Sequence, residues 1–454
     1  MRLPHTDRGR IVLVLLLAAA VTVFTATVPL LRDWFDLRVY YGTVDSWIHH
    51  GGRIYDYRVP GTTYGFTYPP FAAVAMLPMA LLGLHAAIVV ALLLNLAALA
   101  FVLRVLAGRA WRRYGWYGCA LAACALALFE PLRDTFSFGQ VNVLLLALVL
   151  LDCRLLATGR GRWAGVGIGL AAAIKLTPAA FIGLLLVARR PRTAVVASAV
   201  AAAATALAAW VAPDASRFYW TQAMWDTTRV GRLDYVSNQS LQGILARLGV
   251  SERAVWAVVA LLVLGVWVAR SRRAVAAGDW TAAFALTGLT ACLVSPITWV
   301  HHLVWLLPSF AVLVRAGHLR IAGALYAMLC TSVVWLWFDD ASGVDGFLGS
   351  NAYTWITLGL LLWLPVGHSG SERSTPLPRS TRDVAPAPIP AAPAIAHASA
   401  QPAPAGPPSG ATSATTGPFA GPGLGLTRKA SSDPTGSTRP AASNPQSSNS
   451  PASS

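Results

Sequence analysis

Apolar runs separated by short, arginine-bearing polar connections fill the chain as far as about residue 366. They lie at roughly 11–31, 71–106, 115–131, 139–153, 163–188, 193–212, 253–270, 281–295, 301–315, 320–338 and 352–366. Most approach the roughly 20 residues that carry an α-helix across a bilayer. The pattern predicts an all-α, polytopic membrane protein. The first run exceeds a signal-peptide core and lacks a small-residue cleavage site, so it is expected to be retained as a span.

Arginine sets the expected orientation. Arg2, Arg8 and Arg10, then Arg104, Arg109, Arg112 and Arg113, then Arg154, Arg160 and Arg162, then Arg270, Arg272 and Arg273, then Arg315 and Arg320 mark the cytoplasmic side. Arg189, Arg190 and Arg192 break the alternation unless the 163–188 run turns back on itself. Thr177-Pro178 supplies the means, because proline removes a backbone donor and disfavours helix just before it. Two half-helices entering and leaving from the cytoplasm restore the parity. The expectation is about ten full crossings plus this re-entrant hairpin, with both termini cytoplasmic. The 71–106 run, interrupted by Pro78 and Gly83, is long enough to hold a short partial helix before its full span.

Composition sharpens this picture. The 454 residues are 56% hydrophobic and 12% charged, with mean hydropathy +0.56. A net charge of +16 could suit nucleic acid, but the arginines fall in short groups between apolar runs and act as topology signals. Lysine occurs only at Lys175 and Lys429, so Lys175 is the sole ammonium in the membrane part. Cys119, Cys124, Cys153, Cys292 and Cys330 lie within apolar runs without metal-ligand spacing and imply neither disulfide nor zinc. The chain is expected to divide into a cytoplasmic N-terminus at 1–10, a membrane domain at 11–366 and a cytoplasmic Pro/Ala/Ser-rich tail at 367–454, too poor in large apolar residues to fold.

Asp36, just past the first apolar run, is the leading candidate for chemistry. In mid-bilayer a carboxylate costs roughly 3 kcal/mol on insertion scales. At a helix end near the headgroups it meets water on one side and a lipid-borne substrate on the other. Its bland alternative is a cap or an ion pair with Arg38; Asp33 and Asp45 read as solvated loop acids. The expected topology gathers further polar groups on the same outer side: Tyr40, Tyr64 and Tyr68 in the 32–70 loop, Arg133, Gln140 and Asn142, then Asn238 and Gln239, then Trp299, His301 and His302. Aromatic faces stack on sugar C–H groups while amides and guanidinium groups discriminate hydroxyls. The adjacent His301 and His302 lack a third ligand at natural spacing, which argues against metal. Lys175, beside the predicted break, is too costly to leave unpaired and reads as functional, with snorkelling as its alternative.

Asp36-Leu37-Arg38-Val39-Tyr40, Tyr64-Gly65-Phe66-Thr67-Tyr68-Pro69-Pro70, Gly139-Gln140-Val141-Asn142, Ile174-Lys175-Leu176-Thr177-Pro178, Ser237-Asn238-Gln239-Ser240 and Ser295-Pro296-Ile297-Thr298-Trp299-Val300-His301-His302, in this order, resemble the actinobacterial α(1→2) mannosyltransferases. These are GT-C-type membrane enzymes that use polyprenyl-phosphate mannose to build phosphatidylinositol mannosides and lipoarabinomannan. The resemblance covers about residues 11–366. It implies a plasma-membrane mannosyltransferase with an extracytoplasmic site, in which Asp36 matches the general base at the outer end of the first span. The implied partners are a polyprenyl-phosphate sugar donor, a glycolipid or lipoglycan acceptor and membrane lipids, with no nucleic acid. No metal or other cofactor is expected, since a lipid monophosphate donor carries little charge to neutralise. Arg38, Tyr40, Tyr64, Tyr68, Gln140, Asn142, Asn238, Gln239 and Trp299 are expected to bind substrates, with Arg133, Lys175, His301 and His302 on the leaving phosphate. Arabinofuranosyltransferases using decaprenyl-phosphate arabinose resemble this group in architecture and form the nearest alternative. A lipid-linked sugar transporter or flippase is the alternative from another class.

Overall fold

The computed structural model describes residues 6–27 and 33–367; residues 1–5, 28–32 and the tail beyond 367 lie outside the described residues, as do the side chains of 25–27 and 109–114. All described residues belong to one compact unit, Met1–Pro378. Among them are eighteen α-helices and no strand, the one extended pairing being an antiparallel bridge between Arg58 and Gly65.

The helices follow the apolar runs. In chain order they are α1 Asp7–Thr27, α2 Phe35–His49, α3 Pro70–Ala75, α4 Leu84–Ala107, α5 Arg109–Leu128, α6 Glu130–Phe138, α7 Asn142–Ala157, α8 Val166–Ile174, α9 Ala180–Val187 and α10 Pro191–Val211. Then come α11 Pro213–Thr221, α12 Leu241–Arg247, α13 Arg253–Ala276, α14 Trp280–Val294, α15 Leu307–Arg315, α16 Leu319–Cys330, α17 Gly343–Gly349 and α18 Ala352–Trp363. α4, α10 and α13 are long and apolar enough to cross a bilayer, and a fourth span is possible if α5 from Gly115 and α6, bent by 78°, count as one. α1 is as long as α10, and six further apolar helical segments among the described residues run to only 10–17 residues, so the expected ten crossings do not appear as ten long rods.

The predicted interruptions are present and have local causes. Pro78 and Gly83 divide the 71–106 run into α3, a 3₁₀ turn at Leu77–Leu81, and α4. The 163–188 run opens at Lys175, whose backbone is extended, and resumes through a Thr177–Ala179 3₁₀ turn containing Pro178. A Cβ at Gly165 would strike Thr193 and Ala197, and one at Gly169 would strike Ala197 and Val200. α8 and α10 therefore run parallel with their starts level, so α9, which joins them, runs back toward that level.

α14 is apolar on every side and is buried almost throughout, which places it at the centre of the helical core beside α7, α9, α13, α15 and α18. A second, smaller core lies under the 33–70 segment, where Leu37, Val39, Tyr40 and Val44 of α2 pack on Ile54, Tyr55, Phe66 and Tyr219. α2 is a departure from expectation: Asp36 does not end the first span but lies in the first turn of a separate fifteen-residue helix.

Candidate active site

The geometry begins at the end of α6. Gly139 takes a left-handed conformation (φ 70°), and the N–H groups of Gly139 and Gln140 donate back to Phe136 O (3.1 Å) and Thr135 O (2.8 Å). This is a Schellman turn, which needs glycine at that position. The missing side chain also admits α2, since a Cβ there would overlap Leu37 Cβ. Trp34 N–H donates to Ser137 O (3.0 Å), fixing the start of α2 against the same turn. Asp33 and Trp34 themselves have positive φ (47° and 54°), a conformation costly for side-chain-bearing residues. Arg38 holds that turn through Nε to Asp33 O (2.9 Å) and an ion pair with its carboxylate (2.8 Å).

These constraints bring Asp36 to Gln140. Gln140 Nε2 donates to Asp36 Oδ2 (2.7 Å), and Tyr68 OH donates to Gln140 Oε1 (2.8 Å). Tyr68 oxygen in turn accepts from Tyr40 OH (3.0 Å) and from Lys175 Nζ (3.2 Å). Lys175 also donates to Asn142 Oδ1 (2.9 Å), and its Nζ lies 2.8 Å from His302 Nε2. The other amide end of Asn142 donates to His301 O (3.2 Å), which also accepts from Thr135 (3.0 Å). The Trp299 N–H donates to His302 Nδ1 (3.2 Å). A continuous hydrogen-bonded chain thus joins a carboxylate at one end to a lysine–histidine pair at the other.

Asp36 is pushed up to about 6, chiefly by burial, against the lowering effects of the Gln140 bond and the Lys175 charge. A carboxylate with one oxygen held and a proton affinity near neutrality is suited to accept a proton from a hydroxyl. Aromatic rings edge the site. Phe35, next to Asp36, meets Tyr64 edge-on (5.9 Å), Gly231 sits against both Tyr64 and Trp299, and Trp299 meets Tyr235 edge-on (6.0 Å).

Apart from Arg38 and Arg133, the sequence-predicted residues separate into three groups. Asp36, Tyr40, Tyr68, Gln140, Asn142, Lys175 and His302 form the chain, with His301 joined to it through its carbonyl and its ring 4.6 Å from His302. Tyr64 and Trp299 belong to the aromatic edge. Asn238 and Gln239 are wholly buried and bond the framework. Asn238 receives Thr298 N–H (2.9 Å) and donates to Leu233 O and Pro296 O; Gln239 donates to Val236 O and Ser350 O and receives Thr354. They hold the turn that leads into Trp299–His302. Arg133 donates to Ser332 (2.8 Å) and lies over Phe24 (5.7 Å). Sequence reasoning missed Glu130, whose buried carboxylate receives Trp335 (2.7 Å) and Tyr353 and so ties α6 to α18; a lone acid opening a helix was its only signal. Among the described residues no three His, Cys, Asp or Glu side chains are grouped to share a metal ion.

The sequence profile of glycosyltransferase family 87 matches residues 66–296. A polyprenol-phosphate-mannose-dependent α-(1-2)-phosphatidylinositol mannoside mannosyltransferase of Mycobacterium tuberculosis is 34% identical over 79% of this chain and 87% of its own length. The protein so described from Mycolicibacterium smegmatis is 36% identical over 62% of this chain and 67% of its own. A pentamannoside mannosyltransferase of that species is 34% identical over 66% of this chain and 74% of its own. No solved structure matches the chain.

Proposed function

The chain belongs to glycosyltransferase family 87, and on that premise we propose that it moves mannose from a polyprenyl-phosphate mannose to a phosphatidylinositol mannoside-type acceptor, with inversion, forming an α(1→2) linkage. The observation that carries this reading is the half-buried carboxylate of Asp36, held by Gln140 and separated by a hydrogen-bonded chain from the Lys175–His302 pair. An inverting transfer needs a base and a leaving-group site on opposite sides of one sugar ring.

In this reading the acceptor hydroxyl gives its proton to the oxygen of Asp36 that Gln140 does not hold. The hydroxyl oxygen forms its bond to the anomeric carbon as the bond from that carbon to the phosphate oxygen breaks, and the electron pair leaves with the polyprenyl phosphate. Lys175 and His302, with His301 adding hydrogen-bonding capacity, stabilise the charge that collects there, whereas Arg133, expected at the phosphate, is instead engaged with Ser332 and Phe24. A phosphate oxygen takes the place of one of the present partners of Lys175. Tyr64 and Trp299 offer ring faces to the sugars.

The reading includes a GT-C architecture of about ten crossings, with α8 and α9 as a re-entrant hairpin, Asp36 on the extracytoplasmic face and both termini cytoplasmic. It also takes the transfer as metal-independent; loss of activity on chelation, restored by magnesium or manganese, would overturn that part. The test of the whole is purified protein in lipid nanodiscs, given mannose and arabinose donors and a panel of glycolipid acceptors. The expected result is an α(1→2)-mannosylated product from the mannose donor. Use of decaprenyl-phosphate arabinose alone, or no product with any donor, contradicts it.

A further inference from the structure

A cavity of about 440 Å³ lies between α9, α13 and α14, bordered by Leu176, Gly183, Leu264, Trp267, Thr290 and Val294 among others. The side-chain polar atoms of Trp267, Thr287, Thr290 and Ser295 on its wall are already engaged with the protein. Trp267 Nε1 donates to Thr287 (3.0 Å), Thr287 to Ala283 O (2.9 Å), Thr290 to Leu286 O (2.9 Å) and Ser295 to Ile297 O (3.0 Å). The wall offers an occupant a mainly apolar surface, with the Thr177 hydroxyl as its one further polar side chain, which suits hydrocarbon better than a sugar or headgroup.

One end of this groove adjoins the polar site. Leu176 follows Lys175 at the helix break, and while Lys175 is buried among Tyr68, Asn142 and His302, Leu176 stays 37% exposed and borders the cavity. On α14, Ala291 lines the groove and the next residue, Cys292, contacts His302 O. The break thus sends one side chain to the polar cluster and its neighbour to an apolar channel.

We propose that this groove holds the first isoprene units of the donor, with the phosphate at Lys175 and His302. The assignment rests on the proposed function, because it is the phosphate site that gives the groove its occupant. A larger apolar cavity of about 830 Å³, bordered by Met328, Trp337, Trp355 and Trp363, touches no residue of the Asp36–His302 chain and provides the control.

The test is steady-state kinetics of Ala180→Trp and Gly183→Leu in nanodiscs, with a long polyprenyl-phosphate mannose and a donor bearing a single isoprene unit. Filling the groove is expected to raise KM for the long donor by at least about tenfold while leaving KM for the short donor within about twofold. Leu348→Trp, in the control cavity, is expected to leave both unchanged. An equal rise for both donors means that the substitution distorts the polar site, and an unchanged KM for the long donor in either folded variant means that ordinary bilayer lipid occupies the groove; each overturns the proposal. Gly183→Leu keeps the test decisive should Ala180→Trp fail to fold. Wild-type protein that makes no product from either donor would instead contradict the functional reading itself.

Discussion

Two pairs of amide side chains, Gln140 with Asn142 and Asn238 with Gln239, occupy neighbouring turns and do different work. The first pair bonds side chains that bear or move charge: Gln140 bridges Asp36 and Tyr68, and Asn142 meets Lys175. The second pair, as buried as the first, bonds mostly backbone, at residues 233, 236, 296, 298, 350 and 354. An amide has two donors and a carbonyl wherever it lies; what it contributes is decided by whether its partners are ionisable groups or peptide bonds.

The sharpest way to break the comparison is to remove the group that the first pair serves. Asp36→Asn keeps size and loses proton affinity, and is expected to lower kcat by about 10²- to 10⁴-fold, measured as mannosyl transfer by folded protein. Gln140→Leu leaves the carboxylate present but unheld. A hydrogen bond to a charged group contributes about 1.5–3 kcal/mol, so a loss of roughly 10- to 100-fold in kcat, with donor KM nearly unchanged, is expected from the same assay.

The second pair is predicted to fail differently. Asn238→Ala strands the Thr298 N–H and the Leu233 carbonyl, while Pro296 O keeps its bond from Ser240, and should cost about 2–4 kcal/mol of stability, read as a lowered thermal midpoint in detergent. Activity per folded molecule should change by less than about threefold. The smallest effect is expected at Arg38, whose guanidinium braces Asp33 at the surface; an exposed pair of this kind contributes about 1 kcal/mol or less, so Arg38→Gln should lose less than about fivefold in rate.

Much of the helical layout is legible in the chain because its causes are local. Pro178 and the pair Pro78 and Gly83 interrupt helices wherever they occur, and the breaks at Lys175 and at Leu77–Leu81 follow. α2 is harder to read. Leu37, Tyr40, Val44 and Ile48 recur at helical spacing, but they stand among Asp36, Arg38, Asp45 and His49, which give the segment the look of a polar loop. Its stabilising contacts come from Phe66 and Tyr219, far along the chain.

The site shows the same division. Asp36 and Lys175 are legible because a lone charge beside an apolar run needs a reason, and each has one in the hydrogen-bonded chain. The split between the amide pairs is not legible, because burial and partner identity depend on how α6, α7, α12 and α18 meet. Arg133 illustrates this too: its partner Ser332 lies 199 positions away.

The pH dependence of kcat, compared between wild type and Gln140→Leu, tests the central claim most directly. Asp36 must be ionised to act as base, so the rate should rise as pH climbs through about 6 and then level off. The Gln140 bond favours the charged carboxylate; without it the acidic limb should move to higher pH. An acidic limb that is absent from wild type, or that stays in place in Gln140→Leu, would contradict the account.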